Sequence, residues 1–410
     1  PAGVGLVAAE LRSTRAPASE GVAPALAIAA GWLALAGYAY AEPSVYPFAS
    51  GFALVGVLLA GAAWRGKRRA TFGALVLLLG VGACELACQA SGLLIRGQAE
   101  ARRRYYQELH QLDPTLGYRP RPGLRELKLS YHLDPDLRGV YSTDERGFRN
   151  VGRDYAAAQD WFVGDSFTWG AWVTRDECFV GQLEQRWGRP AVALAAGGYG
   201  VLQYEALVEQ ALRERPARIW LCVFANDLAG QIPLAQSGAH YEEFATRFTR
   251  AASLFRALDL GLRALVLRAR GWGPKEAQAG VTLWPAAGAA RDYLASRHYE
   301  AVEATYARIL ARSQEAGVSL RVVLIPSKEL VYRADYERLF PRQRDYLRNE
   351  AQGYERLAGM AAEAGVPCLD LTPALRRAVE VGERPYFALD PHWSPLGHQL
   401  AAEAIAAWRP

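Results

Sequence analysis

The stretch WFVGDSFTWG, residues 161–170, decides how the rest of the chain is read. Trp161, Phe162 and Val163 have the composition of a buried strand, and the run stops abruptly at Gly164-Asp165-Ser166. A serine in a core needs no such setting, whereas a nucleophile carried to a strand tip does. Alone, Ser166 reads equally well as a turn serine, so the reading depends on what else the chain supplies.

Similar β-rich runs recur at AVALA (191–195), RIWLCVF (218–224), LRVVLI (320–325) and VPCLDL (366–371). Helical periodicity fills 202–214, 300–316, 343–365 and 395–408. Strands alternating with helices predict a parallel sheet covered on both faces. Right-handed crossovers then put the strand carboxyl ends on one edge, where such folds bind ligands. Gly164-Asp165-Ser166, the turn AAGGYG (195–200) and FANDL (224–228) follow three of these strands. A fourth cluster, LDPHWSPLGH (389–398), lies near the end of the chain.

Converging on one edge, these clusters supply the parts of acyl chemistry. Ser166 would attack an ester carbonyl, and His392 would take its proton and return it to the leaving alcohol. Asp390 would hold the imidazole tautomer. In an extended segment, side chains two positions apart share a side, which suits Asp390 and His392. The Ser166 amide, the Gly198 amide and the Asn226 side chain would donate to an oxyanion. Ser394 and Pro395 have the residue types of a helix N-cap and first turn. Each cluster has a plainer reading: Asn226-Asp227 as a turn dipeptide, Asp390 and His392 as a metal pair or surface loop, His398 as a structural histidine.

The bulk numbers narrow the alternatives. A chain of 410 residues, 51% hydrophobic and 22% charged, suggests two or three folding units. Its net charge of +5 is spread out, with no nucleic-acid-binding pattern. Cys84, Cys88, Cys178, Cys222 and Cys368 are few and scattered, so free thiols are expected rather than a disulfide framework. No metal or other cofactor is expected, and no HExxH-like spacing occurs.

The first hundred residues differ from the rest. Segments 21–41, 44–64 and 70–95 each lack Lys, Arg and Asp, and each reaches the length of a membrane-crossing helix. The basic loop 65–69, with Arg12 and Arg15, predicts a cytoplasmic amino terminus. The remainder would then lie outside the cytoplasm, at the inner membrane of the cell. Glu85 in the third span would face another helix or a cavity. The expected division is a tail (1–20), three spans (21–96), a linker or amino-terminal extension (97–150), and a catalytic domain (151–410) with an insertion at 231–300. Within that insertion, 248–270 reads as a basic amphipathic helix, suited to an anionic membrane surface or to ordinary packing. The chain starts at Pro1, which leaves open whether residues precede it.

The blocks GDSFTWG, AAGGYG, FAND and DPHWSPLGH resemble those of the SGNH, or GDSL-type, hydrolase family. The resemblance covers roughly 105–410 and includes DPTLGYRPRPG (113–123) and YSTDERGFRN (141–150), which resemble upstream stretches of membrane-anchored members. It implies a flavodoxin-like α/β/α sandwich, and it matches Ser166, Gly198, Asn226 and His392 to the named residues, with Asp390 as the acid. The Asp-x-His-Trp block and IPSKELVY (325–332) resemble alginate O-acetylation proteins, which would make Lys328 and Tyr332 acceptor-site residues. Phe224 stands where the third block has Gly, and Ala193 where related sequences often have Asn. One residue, not two, separates Asp390 from His392. The implied function is a membrane-anchored serine esterase or O-acyltransferase acting on an extracytoplasmic glycan or envelope polymer. The bilayer, a carbohydrate or acyl ester, and further membrane proteins are the expected partners, and nucleic acid is not. The competing expectation is a catalytically idle subunit used as a docking module. A metal-dependent hydrolase is a distant third.

Overall fold

All five β-rich runs are strands of one parallel sheet. The structure, a computed structural model, describes residues 107–131, 134–228, 275–278, 280–283 and 297–408. The three expected spans, with Glu85, Cys84 and Cys88, and the basic segment 248–270 lie outside the described residues. Among the described residues, no helix is long and apolar enough to cross a membrane.

Two antiparallel pairs come first: β1 (His110–Asp113) with β2 (Gly117–Pro120), and β3 (Leu127–Tyr131) with β4 (Asp134–Tyr141). The main sheet then builds from β5 (Asp160–Gly164), β6 (Ala191–Ala195), β7 (Arg218–Phe224), β10 (Ser319–Ile325) and β11 (Cys368–Asp370). Its order is β11-β10-β7-β5-β6. Counting these five along the chain gives 2-1-3-4-5, the flavodoxin-like order, with the direction of winding reversing between β5 and β7. Ser166 follows β5, at that switch point.

All five residues of β5 and all five of β6 are buried, so these strands read as unbroken apolar runs rather than alternating ones. Burying each large side chain contributes roughly 2 kcal/mol. Between the strands lie α1 (Ser166–Trp169), α2 (Phe179–Trp187), α3 (Val201–Glu214), α4 (Arg297–Glu315), α5 (Lys328–Val331), α6 (Arg333–Leu339), α7 (Arg344–Glu363) and α8 (Thr372–Glu380). Helix α9 (Pro395–Ala407) is the last of the described helices. Helix α9 packs against α2 and α8, whereas α4 packs against α3 and α7. Right-handed crossovers put these two groups on opposite faces of the sheet.

Two segments flanking the main sheet pack into the same body. Leu116, Tyr118, Leu137 and Phe148 are buried in the same core cluster as the sheet, so 107–150 packs as an extension of the domain that follows. Within the expected insertion, β8 (Lys275–Glu276) pairs with β9 (Thr282–Leu283), and Val281 and Leu283 are fully buried. The Thr282 N–H donates to the Ala388 carbonyl at 2.7 Å, tying this pair to the loop that carries Asp390.

Candidate active site

Ser166 is the first residue of α1, directly beyond the carboxyl end of β5. Asp165 caps this short helix: its Oδ1 accepts the Phe167 N–H at 2.9 Å. Gly164 is required by proximity, because a Cβ there would stand 2.1 Å from Thr168 Oγ1 and 3.1 Å from Cys222 Cβ. The helix end is held by Arg149, whose buried guanidinium donates to the carbonyls of Trp169 (2.9 Å), Gly170 (2.8 Å), Val140 (3.1 Å) and Val173 (3.0 Å). Asn150 grips β6 through both ends of its amide: Nδ2 donates to the Ala193 carbonyl at 3.0 Å, and the Ala193 N–H donates to Oδ1 at 2.9 Å.

The loop from Pro385 to Ser394 closes on itself. Tyr386 pairs with Trp393, the Phe387 N–H donates to the His392 carbonyl (3.1 Å), and the Ser394 N–H donates to the Pro385 carbonyl (2.9 Å). Beyond it, Ser394 caps α9 and Pro395 opens it, as expected. Trp393 is buried and meets Phe167 edge-on at 4.9 Å, docking the loop onto α1. His392 Nε2 lies 2.7 Å from Ser166 Oγ, and His392 Nδ1 lies 2.5 Å from Asp390 Oδ1. The same Oδ1 accepts the His392 backbone N–H at 2.9 Å. One carboxylate oxygen therefore fixes both the backbone and the ring of His392, and Nδ1 carries the proton while Nε2 faces the serine.

The electrostatics favour a charged Asp390 beside a basic His392. Burial would raise Asp390, but the His392 charge, its hydrogen bonds and the Lys328 ammonium together hold it below the usual carboxylate range. Burial would lower His392, but the Asp390 charge and hydrogen bond, with Asp165, hold it above its ordinary value. Burial pushes the Asp165 carboxyl up, against the opposing pull of the Phe167 N–H and the His392 charge. Asp227 is also pushed up, by burial and by the charge of Asp165.

Gly198 and Asn226 follow β6 and β7, the two neighbours of β5, and both are exposed at the same edge as Ser166. Gly198 has φ +80°, and a Cβ there would meet the Tyr118 hydroxyl at 2.7 Å. That hydroxyl donates to the Gly197 carbonyl at 2.8 Å, so the β1–β2 hairpin braces the glycine turn.

Lys328 and Tyr332 stand apart from the expected acceptor role. Lys328 is 1% exposed, and its ammonium donates to the carbonyls of Phe387 (2.8 Å), Ala388 (2.9 Å) and Asp390 (3.3 Å). It clips the loop that carries Asp390 and His392 instead of offering its charge to solvent. Tyr332 is 2% exposed and borders a separate cavity with Arg333, Asp335 and Arg376, none of which belongs to the Ser166 cluster. His398 is buried, stacks on Phe179, and accepts the Phe179 N–H at 3.3 Å through Nδ1. Burial drives it down to about 3, so it stays neutral. Cys178 and Cys222 are buried free thiols, and Cys368 is half-buried. Among the described residues, no group of three or more His, Cys, Asp or Glu side chains is placed to hold a metal.

Residues 283–408 match the family described as ALGX: SGNH hydrolase-like domain, acetyltransferase AlgX. That stretch, similar to an AlgX-type SGNH hydrolase-like domain, holds Asp390 and His392 but not Ser166. No curated protein matches. Solved structures similar to this chain include the acetyl xylan esterase AlAXEase (11% identity, 60% of this chain and 98% of that one, TM-score 0.34). A member of the lipolytic G-D-S-L family from Veillonella parvula matches at 14% identity, over 61% of this chain and 97% of that one, with TM-score 0.35. The acetylxylan esterase Axe2 from Geobacillus stearothermophilus, as a catalytic mutant, matches at 15% identity, over 60% and 91%, with TM-score 0.34.

Proposed function

We propose that this chain is a serine-dependent acyl-ester enzyme, an esterase or O-acyltransferase that works through an acyl-enzyme. The observation that carries this reading is the 2.7 Å approach of His392 Nε2 to Ser166 Oγ, with His392 Nδ1 held by Asp390. Ser166 Oγ attacks the ester carbonyl while Nε2 takes its proton. The imidazolium that forms is stabilised by Asp390. Negative charge on the tetrahedral oxygen is met by the amides of Ser166 and Gly198 and the side chain of Asn226. His392 returns its proton to the leaving alcohol, which leaves an acyl group on Ser166. Water or an acceptor hydroxyl, deprotonated in turn by His392, then releases it.

Whether water or a sugar hydroxyl is the second nucleophile sets the activity. An extracytoplasmic glycan or envelope polymer is the substrate that fits the apolar stretches within 21–96 and the basic loop 65–69. A fluorophosphonate probe tests the core of the reading. It should label the wild-type chain and leave Ser166→Ala unlabelled. Absence of labelling in both would favour the idle docking module, a reading that the low exposure of Ser166 (8%) also suits. With an aryl acetate as donor, acetyl appearing on an added oligosaccharide identifies a transferase, and release at an unchanged rate identifies a hydrolase. For location, alkaline phosphatase fused at residue 150 should be active, and an inactive fusion would reverse the topology.

A further inference from the structure

The opposite edge of the sheet carries a cluster that the acyl chemistry does not use. Asp160 opens β5, Arg218 opens β7, and Arg321 in β10 lies across from Trp220. Trp187 ends α2, Arg189 leads into β6, and Trp408 follows α9. Trp187, Arg189, Arg218, Trp220, Arg321 and Trp408 line a cavity of about 240 Å³. At about 3.3 Å per strand residue, Asp160 and Ser166 lie roughly 20 Å apart, so this cavity is separate from the serine site.

Its charges do not balance. Asp160 is fully buried; its Oδ1 accepts from Arg218 Nε (2.6 Å) and Trp220 Nε1 (2.9 Å), and its Oδ2 accepts from Arg218 Nη2 (2.9 Å) and Arg189 Nε (3.0 Å). One carboxylate thus serves two guanidinium groups, and a third remains. Arg321 has no ion-pair partner among the described residues, and its buried Nε has no hydrogen-bond acceptor. Its guanidinium lies 5.0 Å from the ring centroid of Trp220 and 5.9 Å from that of Trp408. Two indole rings flank this guanidinium without neutralising it, which leaves N–H donors for an incoming anion. Arg189 and Arg218, already turned towards Asp160, extend the positive lining.

We propose that this cavity binds a small anion of about one sugar ring in size. Its carboxylate or phosphate would sit against Arg321 beside Arg218, and its apolar ring face would lie on Trp408. Planar guanidinium forks match either anionic group. Indole faces suit a ring, and the volume lies just below that of sites for larger ligands.

The test is calorimetric titration of the purified full chain with D-glucuronate, glucose 1-phosphate, D-glucose and inorganic phosphate. At least one charged sugar should bind with a Kd below roughly 1 mM. Glucose and inorganic phosphate should each bind at least tenfold more weakly, and the better charged sugar identifies the anionic group. Arg321→Gln and, separately, Trp408→Ala should each weaken that binding about tenfold. Both should keep wild-type hydrolysis of an aryl acetate, which also reports that they fold. If either variant fails to fold, Arg321→Lys takes its place, keeping the charge and losing the guanidinium fork, with the same loss expected. The proposal is overturned if neither charged sugar binds, if inorganic phosphate binds as tightly as they do, or if the folded variants bind like the wild type.

Discussion

Two edges of one sheet each bury aspartates, and they treat them in opposite ways. At the amino edge, burial would raise Asp160, but the hydrogen bonds of Arg218 and Trp220 and the charges of Arg218 and Arg189 hold it low. At the carboxyl edge, Asp165 and Asp227 are buried just as deeply and are both pushed up. Burial is common to all three, so partners decide the difference. The amino edge spends Arg189 and Arg218 on holding strands together through Asp160 and leaves Arg321 over. The carboxyl edge instead gathers mutually repelling carboxylates around a histidine, an arrangement that adds little stability and is characteristic of sites that move protons.

Substitutions on the two edges should therefore part stability from rate. The largest effect expected is from Asp390→Asn, which should lower the turnover of an aryl acetate by about 10⁴-fold. The reaction needs neutral His392, so the wild-type rate should rise with pH through a value above the usual histidine range. In Asp390→Asn that inflection should move down, because the carboxylate that raises His392 is gone. An unmoved inflection would mean another group titrates. Next in size, Asp160→Asn should cost about 2–3 kcal/mol in denaturant unfolding, by weakening the hydrogen bonds that Arg189, Arg218 and Trp220 make to the buried carboxylate. Turnover per folded molecule should not change; a matching loss of turnover would break the division between the edges.

Lys328→Met keeps most of the buried stem and removes the clip on the loop. Its kcat should fall about 10²-fold with KM little changed, and the His392 inflection should shift as Asp390 loses a neighbouring cation. The smallest effect concerns Glu350, which accepts from the backbone N–H (2.9 Å) and hydroxyl (2.6 Å) of Ser327, just ahead of Lys328. Burial pushes Glu350 up to about 7 from 4.5. The folded chain therefore keeps a proton that the unfolded chain releases in this window. Stability should fall as pH rises from about 4.5 to about 7, by roughly 1 kcal/mol per pH unit. Glu350→Gln should flatten that slope.

The strands of the main sheet were legible because each is a short apolar run bounded by turn residues, and both faces of the sheet are covered. Helices α3, α4, α7 and α9 were legible from their periodicity. The hairpins between 110 and 141 were not, since their short strands mix polar and apolar residues and gain their shape by packing on the glycine turn. Ser166, Asp390 and His392 announced themselves by residue type and position. Lys328 showed its residue type but not its task, because a lysine's burial depends on which carbonyls surround it, and those come from residues about sixty positions away. Arg149 and Asn150 stood in a recognisable stretch, but nothing local said that one would hold the end of α1 and the other β6.

The hydrogen bond from Tyr118 to Gly197 has a practical corollary. A fragment starting at residue 151 would keep Ser166, Asp390 and His392 yet lose Tyr118, Tyr141, Arg149 and Asn150, and with them the outer scaffolding around Ser166. Anyone trimming this protein for expression should cut upstream of residue 107, since a tidy-looking excision further in would yield a chain whose chemistry is present on paper and slack in solution.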